Sequence, residues 1–348
     1  MKIAVYAIAK NEEKFVQRFC ESAKDADIIQ IVDTGSTDNT VEEAKKNGAV
    51  VHTVSINPWR FDAARNASLA LLPADVDVCI SMDLDEVLLP GWRKIIEDAW
   101  VNDTNRLQHL FDNGDGLIFG VSRIHARNGF VWKYPCHEYV VADVRNVEKL
   151  AVSKDVLMLH QPDETKSRGQ YMPMLEMAVK EDPNCSRSQF YYAREMLFHK
   201  RHEDAINEFK KYLAMPSAQW FVERSYAMRA IGSCEELLGR DGTQWFYKSL
   251  AEDPMAREPW LELANKAYVK QNWERCYLNA KMALLLQEKA LWHTTDPKCW
   301  TWPPHDFAAI AAHHLGLKEE SIKHGEEAVK FDPTNERLLK NLEFYKTL

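Results

Sequence analysis

The sequence lacks any excess of basic residues: 44 Lys and Arg stand against 52 Asp and Glu over 348 residues, a formal charge of −8. That balance gives no overall attraction for nucleic acid or anionic lipid and argues against a general polyanion binder, while leaving room for a local basic groove. No apolar run is long enough to span a bilayer. Cysteines are few, seven, and scattered: Cys20, Cys79, Cys136, Cys185, Cys234, Cys276 and Cys299, with no C-x-x-C pair. Such spacing supports neither a zinc knuckle nor a disulfide frame, and it fits a reduced compartment. A Gly-rich phosphate loop is also missing after the first apolar run, which argues against a nucleotidyltransferase. Ala7-Ile8-Ala9 imitates a signal-peptidase site behind Lys2, but the apolar stretch is very short and passes straight into Lys10-Asn11-Glu12-Glu13. It reads as a buried first strand, and a cytoplasmic location is expected.

What is present divides by period. Hydrophobic residues (46%) and charged residues (28%) are those of a folded chain, and the length suggests two domains. Up to about residue 160, strand-like runs at Ile3–Ile8, Ile28–Val32, Ala49–Val54 and Val76–Ser81 alternate with helical stretches at Glu12–Ala23, Thr40–Asn47 and Ala63–Leu71. Ser36 to Thr40 place capping groups before the second helix. The alternation predicts an α/β domain over 1–165 with a mainly parallel sheet, helices on both faces, and ligands at the carboxyl ends of the strands.

From about Lys166 to the end, 166–348, strand signals vanish. Pairs of small residues twelve apart, Ala193/Ala205, Ala230/Gly242, Ala264/Cys276 and Ala309/Ser321, predict an all-α domain of tetratricopeptide-like helix pairs. The spacings between their first members, 37, 34 and 45, make these repeats degenerate, and a plain helical bundle is the simpler alternative. A solenoid of this kind offers a concave face that can position a partner or acceptor. The last gap holds Trp292, Trp300 and Trp302 with Pro297, Pro303 and Pro304, a stiff aromatic connection that either packs between repeats or forms a wall for a sugar.

The chemistry-bearing residues begin with Ser81-Met82-Asp83-Leu84-Asp85-Glu86, which closes an apolar run. In an extended chain Asp83 and Asp85 point to one side. Two carboxylates at a strand end suit Mg²⁺ or Mn²⁺ and leave coordination positions for a diphosphate. D-x-D alone is a weak signal. Val32-Asp33-Thr34-Gly35-Ser36-Thr37-Asp38-Asn39-Thr40 is more specific, with Asp33 placed at a strand end to accept from a base N–H. Ordinary capping explains Ser36 to Thr40 but supplies no reason for the acid at Asp33. Arg123, His125 and Arg127 alternate as a basic patch and read as a solvated face.

Ala9-Lys10-Asn11-Glu12, the Asp33 segment, Phe61-Asp62-Ala63-Ala64-Arg65-Asn66 and Asp83-x-Asp85, in that order, resemble family-2 glycosyltransferases over roughly residues 1–100. The resemblance implies a GT-A fold, a nucleotide-diphosphate sugar donor (UDP-sugar favoured), a divalent cation and mostly inverting transfer. By resemblance, Ala9, Asn11, Glu12, Asp33 and Asp62 belong to the donor site, with Asp33 meeting the base. Arg65 meets the diphosphate side, Asp83 the ribose or the metal, and Asp85 the metal. Val131-Trp132-Lys133-Tyr134-Pro135-Cys136-His137-Glu138, then Leu157-Met158-Leu159-His160 and a repeat tail, are similar to the tetratricopeptide-bearing subgroup that includes the sublancin peptide S-glycosyltransferase.

Carried over, Glu138 is the candidate base and His160 the third metal ligand; His137 remains open as the base, and His160 as a strand-end histidine. The subgroup usually has glycine shortly before His-Glu, where this chain has Tyr134-Pro135. The expected partners are a nucleotide-sugar donor and an unidentified acceptor, such as polysaccharide, peptide or protein. Transfer to hydroxymethylated bases in phage DNA is the alternative, and a non-catalytic tetratricopeptide scaffold with a vestigial sugar domain is the alternative of another class.

Overall fold

A computed structural model describes every residue except Asn102, residues 164–168 and Leu348. The expected boundary between residues 165 and 166 lies outside the described residues. The chain forms two compact units, Met1–Pro183 and Asn184–Leu348.

The first unit is built on an eight-stranded sheet. Strands β1 (Ile3–Ala9), β2 (Ile28–Asp33), β3 (Val50–Thr53) and β4 (Val78–Ser81) alternate with helices α1 (Glu13–Ser22), α2 (Thr40–Lys46) and α3 (Phe61–Leu71). All four of these strands are parallel, as their apolar, β-branched content and intervening helices predict. Then come β5 (Glu86–Leu88), α4 (Trp92–Ala99), β6 (Arg106–Asp112), β7 (Ile118–Ala126) and, after a separate ribbon of β8 (Phe130–Lys133) and β9 (Tyr139–Ala142), β10 (Leu150–His160). The order across the sheet is β3-β2-β1-β4-β7-β6-β10-β5. Strand β7 runs antiparallel to both neighbours and β5 antiparallel to β10, so the sheet is mixed beyond β4.

One face of the sheet packs Val5, Ile31, Ile80, Leu107 and Met158 against Phe15, Phe19, Trp92 and Ile96. The other face packs Tyr6 and Cys79 against Leu69, Phe130 and Trp132, so the β8–β9 ribbon shares in covering the strands that lead to the candidate site. Helix α5 (Tyr171–Glu181) completes this unit.

The second unit holds the helix pairs α6 (Ser186–Phe198) with α7 (His202–Ala214), α8 (Phe221–Leu237) with α9 (Thr243–Glu252), α10 (Glu258–Val269) with α11 (Trp273–Leu285), and α12 (Pro303–His314) with α13 (Lys318–Phe331). Helix α14 (Glu336–Thr347) packs on α13. Each small-residue pair from the sequence spans the two helices of one pair: Ala193, Ala205, Ala264, Cys276, Ala309 and Ser321 are all buried. At Gly242, just before α9, a Cβ would run into the Gly232 carbonyl oxygen, so that approach requires glycine. Among the described residues, no helix is long and apolar enough to cross a membrane.

Candidate active site

The loops that follow β1 and β2 are stitched to each other. Asn11 adopts φ 57, a left-handed conformation that asparagine tolerates. Its N–H donates to Ser36 Oγ (2.8 Å), and its side-chain oxygen accepts from the Thr37 N–H (2.7 Å). The Glu12 N–H donates to Thr40 Oγ1 (2.7 Å), and the Ala9 carbonyl accepts from the Thr34 N–H (2.9 Å). Asp33 is buried, and its carboxylate accepts from the N–H groups of Gly35 (3.0 Å) and Ser36 (3.1 Å). The acid at Asp33 therefore has a structural reason that sequence reading did not supply: it closes the turn at Gly35, whose φ is 106.

At the end of β4 the acidic run meets two arginines. Asp83 accepts from Arg65 Nη2 at 2.7 Å and lies 3.8 Å from Arg123 Nη1. Glu86, fully buried, accepts from the Asp83 N–H (2.9 Å) and from Arg123 Nη1 through both oxygens (2.9 and 3.0 Å). Burial pushes the Glu86 carboxyl up to about 7, against the pull of Arg123. Desolvation would also raise Asp83, but Arg65 and Arg123 prevail and hold it below the ordinary carboxylate value. Glu86 and Arg123 thus fix the turn that carries Asp83 and Asp85.

Arg65, buried on α3, is the hub. Its Nε donates to Glu138 Oε1 (2.6 Å), its Nη2 to Asp83, and its Nη1 lies 3.3 Å from Ser81 Oγ. Burial would lower the guanidinium pKa, yet Asp83 and Glu138 outweigh it and drive the value upward. Asp62 pairs with Arg60 (3.0 Å), not with Arg65, and accepts from the Ala63 N–H at the start of α3. The structure thus gathers Arg65, Asp83 and Glu138 directly, while Asp62 stays at the helix end.

Glu138 arrives on the loop between β8 and β9. Tyr134 takes φ 80 and His137 φ 51, so a tyrosine holds the left-handed backbone that glycine adopts most readily. The Pro135 carbonyl accepts from the Phe61 N–H (3.1 Å), and Asn66 makes reciprocal bonds with the Trp132 backbone (2.8 and 2.9 Å). These contacts dock the loop on α3. The His137 ring stacks on Tyr171 of α5, with centroids 5.7 Å apart.

Beneath Arg65 lies a buried polar chain. The Trp132 ring sits 5.0 Å under the guanidinium, its Nε1–H donates to Tyr6 Oη (2.8 Å), and Tyr6 Oη lies 2.9 Å from His125 Nε2. His125 Nδ1 lies 2.8 Å from the Ala126 carbonyl, which makes Nδ1 the protonated nitrogen. Burial drops the His125 pKa to about 4, so the ring is neutral. The expectation of a solvated basic face is therefore wrong. His125 is buried in this chain, Arg123 belongs to the acidic site, and Arg127 donates to the carbonyls of Ala70 and Leu72. The physical reason is the β8–β9 ribbon, which covers that side of β7 and is invisible in local sequence.

Donor chemistry decides whether a divalent cation suits the site. His160, at the end of β10, has Nε2 3.5 Å from Asp85 Oδ2, and its Nδ1 is buried without a hydrogen-bond partner. Burial would lower the His160 pKa, but Asp85, Glu86 and Asp83 together raise it. Asp85 and the His160 Nε2 beside it form a mixed oxygen–nitrogen pair that fits a divalent cation such as Mn²⁺, while the orphaned Nδ1 is the ring's other nitrogen. Among the described residues no group of three or more His, Cys, Asp or Glu side chains is gathered for a cation. Asp83 is drawn toward the arginines, which leaves Asp85 and His160 as the ligand pair that fits.

Residues 5–107 match the family described as Glycosyl transferase family 2. The chain therefore carries a glycosyltransferase domain. No curated protein matches the sequence. Among solved structures, the APC/C hetero-tetramer Cut9-Hcn1 is 14% identical over 51% of this chain and 33% of that one, with a TM-score of 0.39. YrrB, a TPR protein with an unusual peptide-binding site, is 12% identical over 50% of this chain and 82% of that one, at 0.40. Glucosyl-3-phosphoglycerate synthase from Mycobacterium tuberculosis, in complex with Mn²⁺, UDP and glucosyl-3-phosphoglycerate, is 24% identical over 32% of this chain and 45% of that one, at 0.28. This chain thus spans a third of the Cut9-Hcn1 chain and under half of the synthase.

Proposed function

We propose that this chain is an inverting, metal-dependent glycosyltransferase that moves a sugar from a nucleotide-diphosphate donor, UDP-sugar favoured, to a polysaccharide, peptide or protein acceptor. The observation that carries the reading is the single guanidinium of Arg65, which joins Asp83 on the donor side to Glu138 on the ribbon loop. Beside the family 2 match over residues 5–107, this supports Asp83 as a donor-side carboxylate and Glu138, which lies beyond the match, as the candidate base. Asp33 and the stitched β1 and β2 loops would take the nucleoside, and Asp85 with His160 would hold the cation. When bound, Mn²⁺ or Mg²⁺ supplies charge neutralisation to the departing diphosphate.

Glu138 takes the proton from the acceptor atom as that atom bonds to the anomeric carbon, while the bond to the diphosphate oxygen breaks on the opposite face. Arg65 orients Glu138 for that step. His137, stacked on Tyr171, is held on the same loop and serves as the alternative base. Placement in the subgroup of the sublancin S-glycosyltransferase is part of this proposal. It is supported by the glycine-like backbone at Tyr134 and by the helix pairs that follow. Seven buried free thiols suit the cytoplasmic location we assign.

The test is thermal stabilisation by a panel of nucleotide sugars, each with Mn²⁺, Mg²⁺ or chelator. A ligand that binds only the native state raises its melting temperature by mass action. We expect one uridine-diphosphate sugar to stabilise the protein in the presence of metal and not in chelator. Folded protein that responds to no donor would overturn the reading.

A further inference from the structure

The aromatic connection between α11 and α12 takes no part in the transfer proposed above. Most of it packs. Arg257 lies 3.9 Å over the Trp300 ring, which joins Leu261, Ala283 and Cys299 in a small core, and Arg337 lies 5.3 Å over Trp302. Trp292 differs: it meets Trp220 edge-on at 5.7 Å and remains 37% exposed.

Beside Trp292 the helical unit opens a cleft. Its walls include Arg229 of α8, Asp253 just after α9, Glu258 at the start of α10, and Trp292, Thr294 and Trp300 of the connection. The cleft encloses about 30 Å³, room for about two water-sized groups.

The lining keeps unused hydrogen-bonding capacity of both kinds. On the donor side, Arg229 makes one long bond, to the Thr294 carbonyl (3.4 Å), and the buried Trp300 Nε1–H has no acceptor among the described residues. On the acceptor side, Asp253 Oδ1 takes the Met255 N–H (3.1 Å) and Glu258 Oε1 the Asp296 N–H (2.8 Å). Each of these carboxylates has a second oxygen to offer.

Charge then decides the class of ligand. An anion drawn to Arg229 would meet the two acids as well, and an ammonium drawn to the acids would meet the guanidinium. A hydroxyl suffers neither repulsion, because it accepts from the guanidinium and donates to a carboxylate at the same time. A sugar ring adds an apolar C–H face, which suits a large, rigid indole. We propose that this cleft binds a neutral saccharide, with hydroxyls bonded to Arg229, Asp253 and Glu258 and the ring against Trp292. The small volume takes a pair of hydroxyls and leaves the remainder of the sugar outside, so a longer glycan can be held by one of its units. The site goes beyond the transfer proposed for the first unit and does not rest on it.

The experiment is isothermal titration calorimetry of the full chain with maltotetraose, cellotetraose and tetra-N-acetylchitotetraose, in chelator and without donor, so its outcome is separate from that of transfer. Tetraglutamate and tetralysine are the charged comparison probes. At least one tetrasaccharide is expected to bind saturably, and Trp292→Ala to weaken it about tenfold or more. Phe344→Ala, which removes an exposed ring on α14, should match wild type. If Trp292→Ala loses helicity by circular dichroism, Asp253→Asn should still weaken binding about threefold or more, because it exchanges a charged acceptor for a neutral one. Absence of saturable binding by all three tetrasaccharides overturns the proposal. So does undiminished binding in a folded Trp292→Ala or in Asp253→Asn, or tighter binding of either charged peptide.

Discussion

In the sheet unit the buried guanidinium of Arg65 and the half-buried one of Arg123 each meet carboxylates, while in the helical unit Arg194 and Arg229 rest on tyrosine rings and a carbonyl. The first unit brings its carboxylates into direct contact, whereas Arg194 and Arg229 are half-buried and Arg229 is held above its usual pKa, against burial, by Glu258 and Glu262 from beyond ion-pair distance. A group satisfied within its fold is a structural component whose removal leaves partners stranded. A group resting on rings, with its carboxylates at a distance, leaves no close partner stranded when it is removed.

The sharpest way to break this contrast is Arg65→Met. It would strand Asp83 and Glu138 together, costing about 3–5 kcal/mol of stability by analogy with other broken buried pairs, and transfer should become undetectable. Denaturant unfolding beside an activity assay checks it; a variant as stable as wild type would mean the hub is not what holds these acids. Next in size are changes that remove chemistry and leave the fold. Asp85→Ala should keep its melting temperature within a few degrees and lose metal-dependent turnover. Glu138→Gln should keep donor affinity and lower the transfer rate by about 10²–10⁴. Equal losses of donor binding and rate in Glu138→Gln would move that residue to the donor site.

Smaller effects sharpen the helical side. Gly242→Ala drives a methyl group into the Gly232 carbonyl, and overpacking of this kind costs about 1–3 kcal/mol. A melting temperature equal to wild type would show that the pair can separate freely. Glu223→Gln tests the partly charged acid between Tyr212 and His293. A carboxyl raised by burial to about 7 is favoured neutral in the folded state, so its contribution is full below the unfolded value of about 4.5 and is lost as pH rises through 7. The glutamine variant should therefore gain stability relative to wild type at pH 8 and much less at pH 5, by about 1–3 kcal/mol at most. Thermal melts at both pH values decide it, and a gain independent of pH would assign the effect to packing.

The first half of the sheet was legible because β1, β2 and β4 are continuous apolar runs separated by amphipathic helices, a pattern that parallel strands impose. The helix pairs were legible from small residues at fixed spacing. Strands β6, β7 and the first part of β10 were not, because their buried positions include His109 and His125 among polar neighbours, and β10 carries Ser153, Lys154 and Asp155 in its middle; only its apolar end, Leu157 to His160, was read as a strand. The acids at Asp83 and Asp85 were readable as a pair from their spacing alone. Arg123 was not, since its partner Glu86 lies 37 residues away and its alternation with His125 imitates an exposed strand. The turn-closing bonds of Asp33 depend on a glycine φ that no local pattern announces.

The chain Trp132–Tyr6–His125 has a further consequence for watching this protein at work. With Nδ1 committed to the Ala126 carbonyl, Nε2 of His125 must accept, so the Tyr6 hydroxyl hydrogen points one way and the oxygen receives the indole hydrogen from the other. No rotation of the hydroxyl satisfies all partners except this one. The indole resonance of Trp132 is thus a reporter with a single orientation, screened from water and one ring away from the guanidinium that joins Asp83 to Glu138. A ligand that shifts this guanidinium is expected to move the indole resonance, so binding at Arg65 can be followed from below.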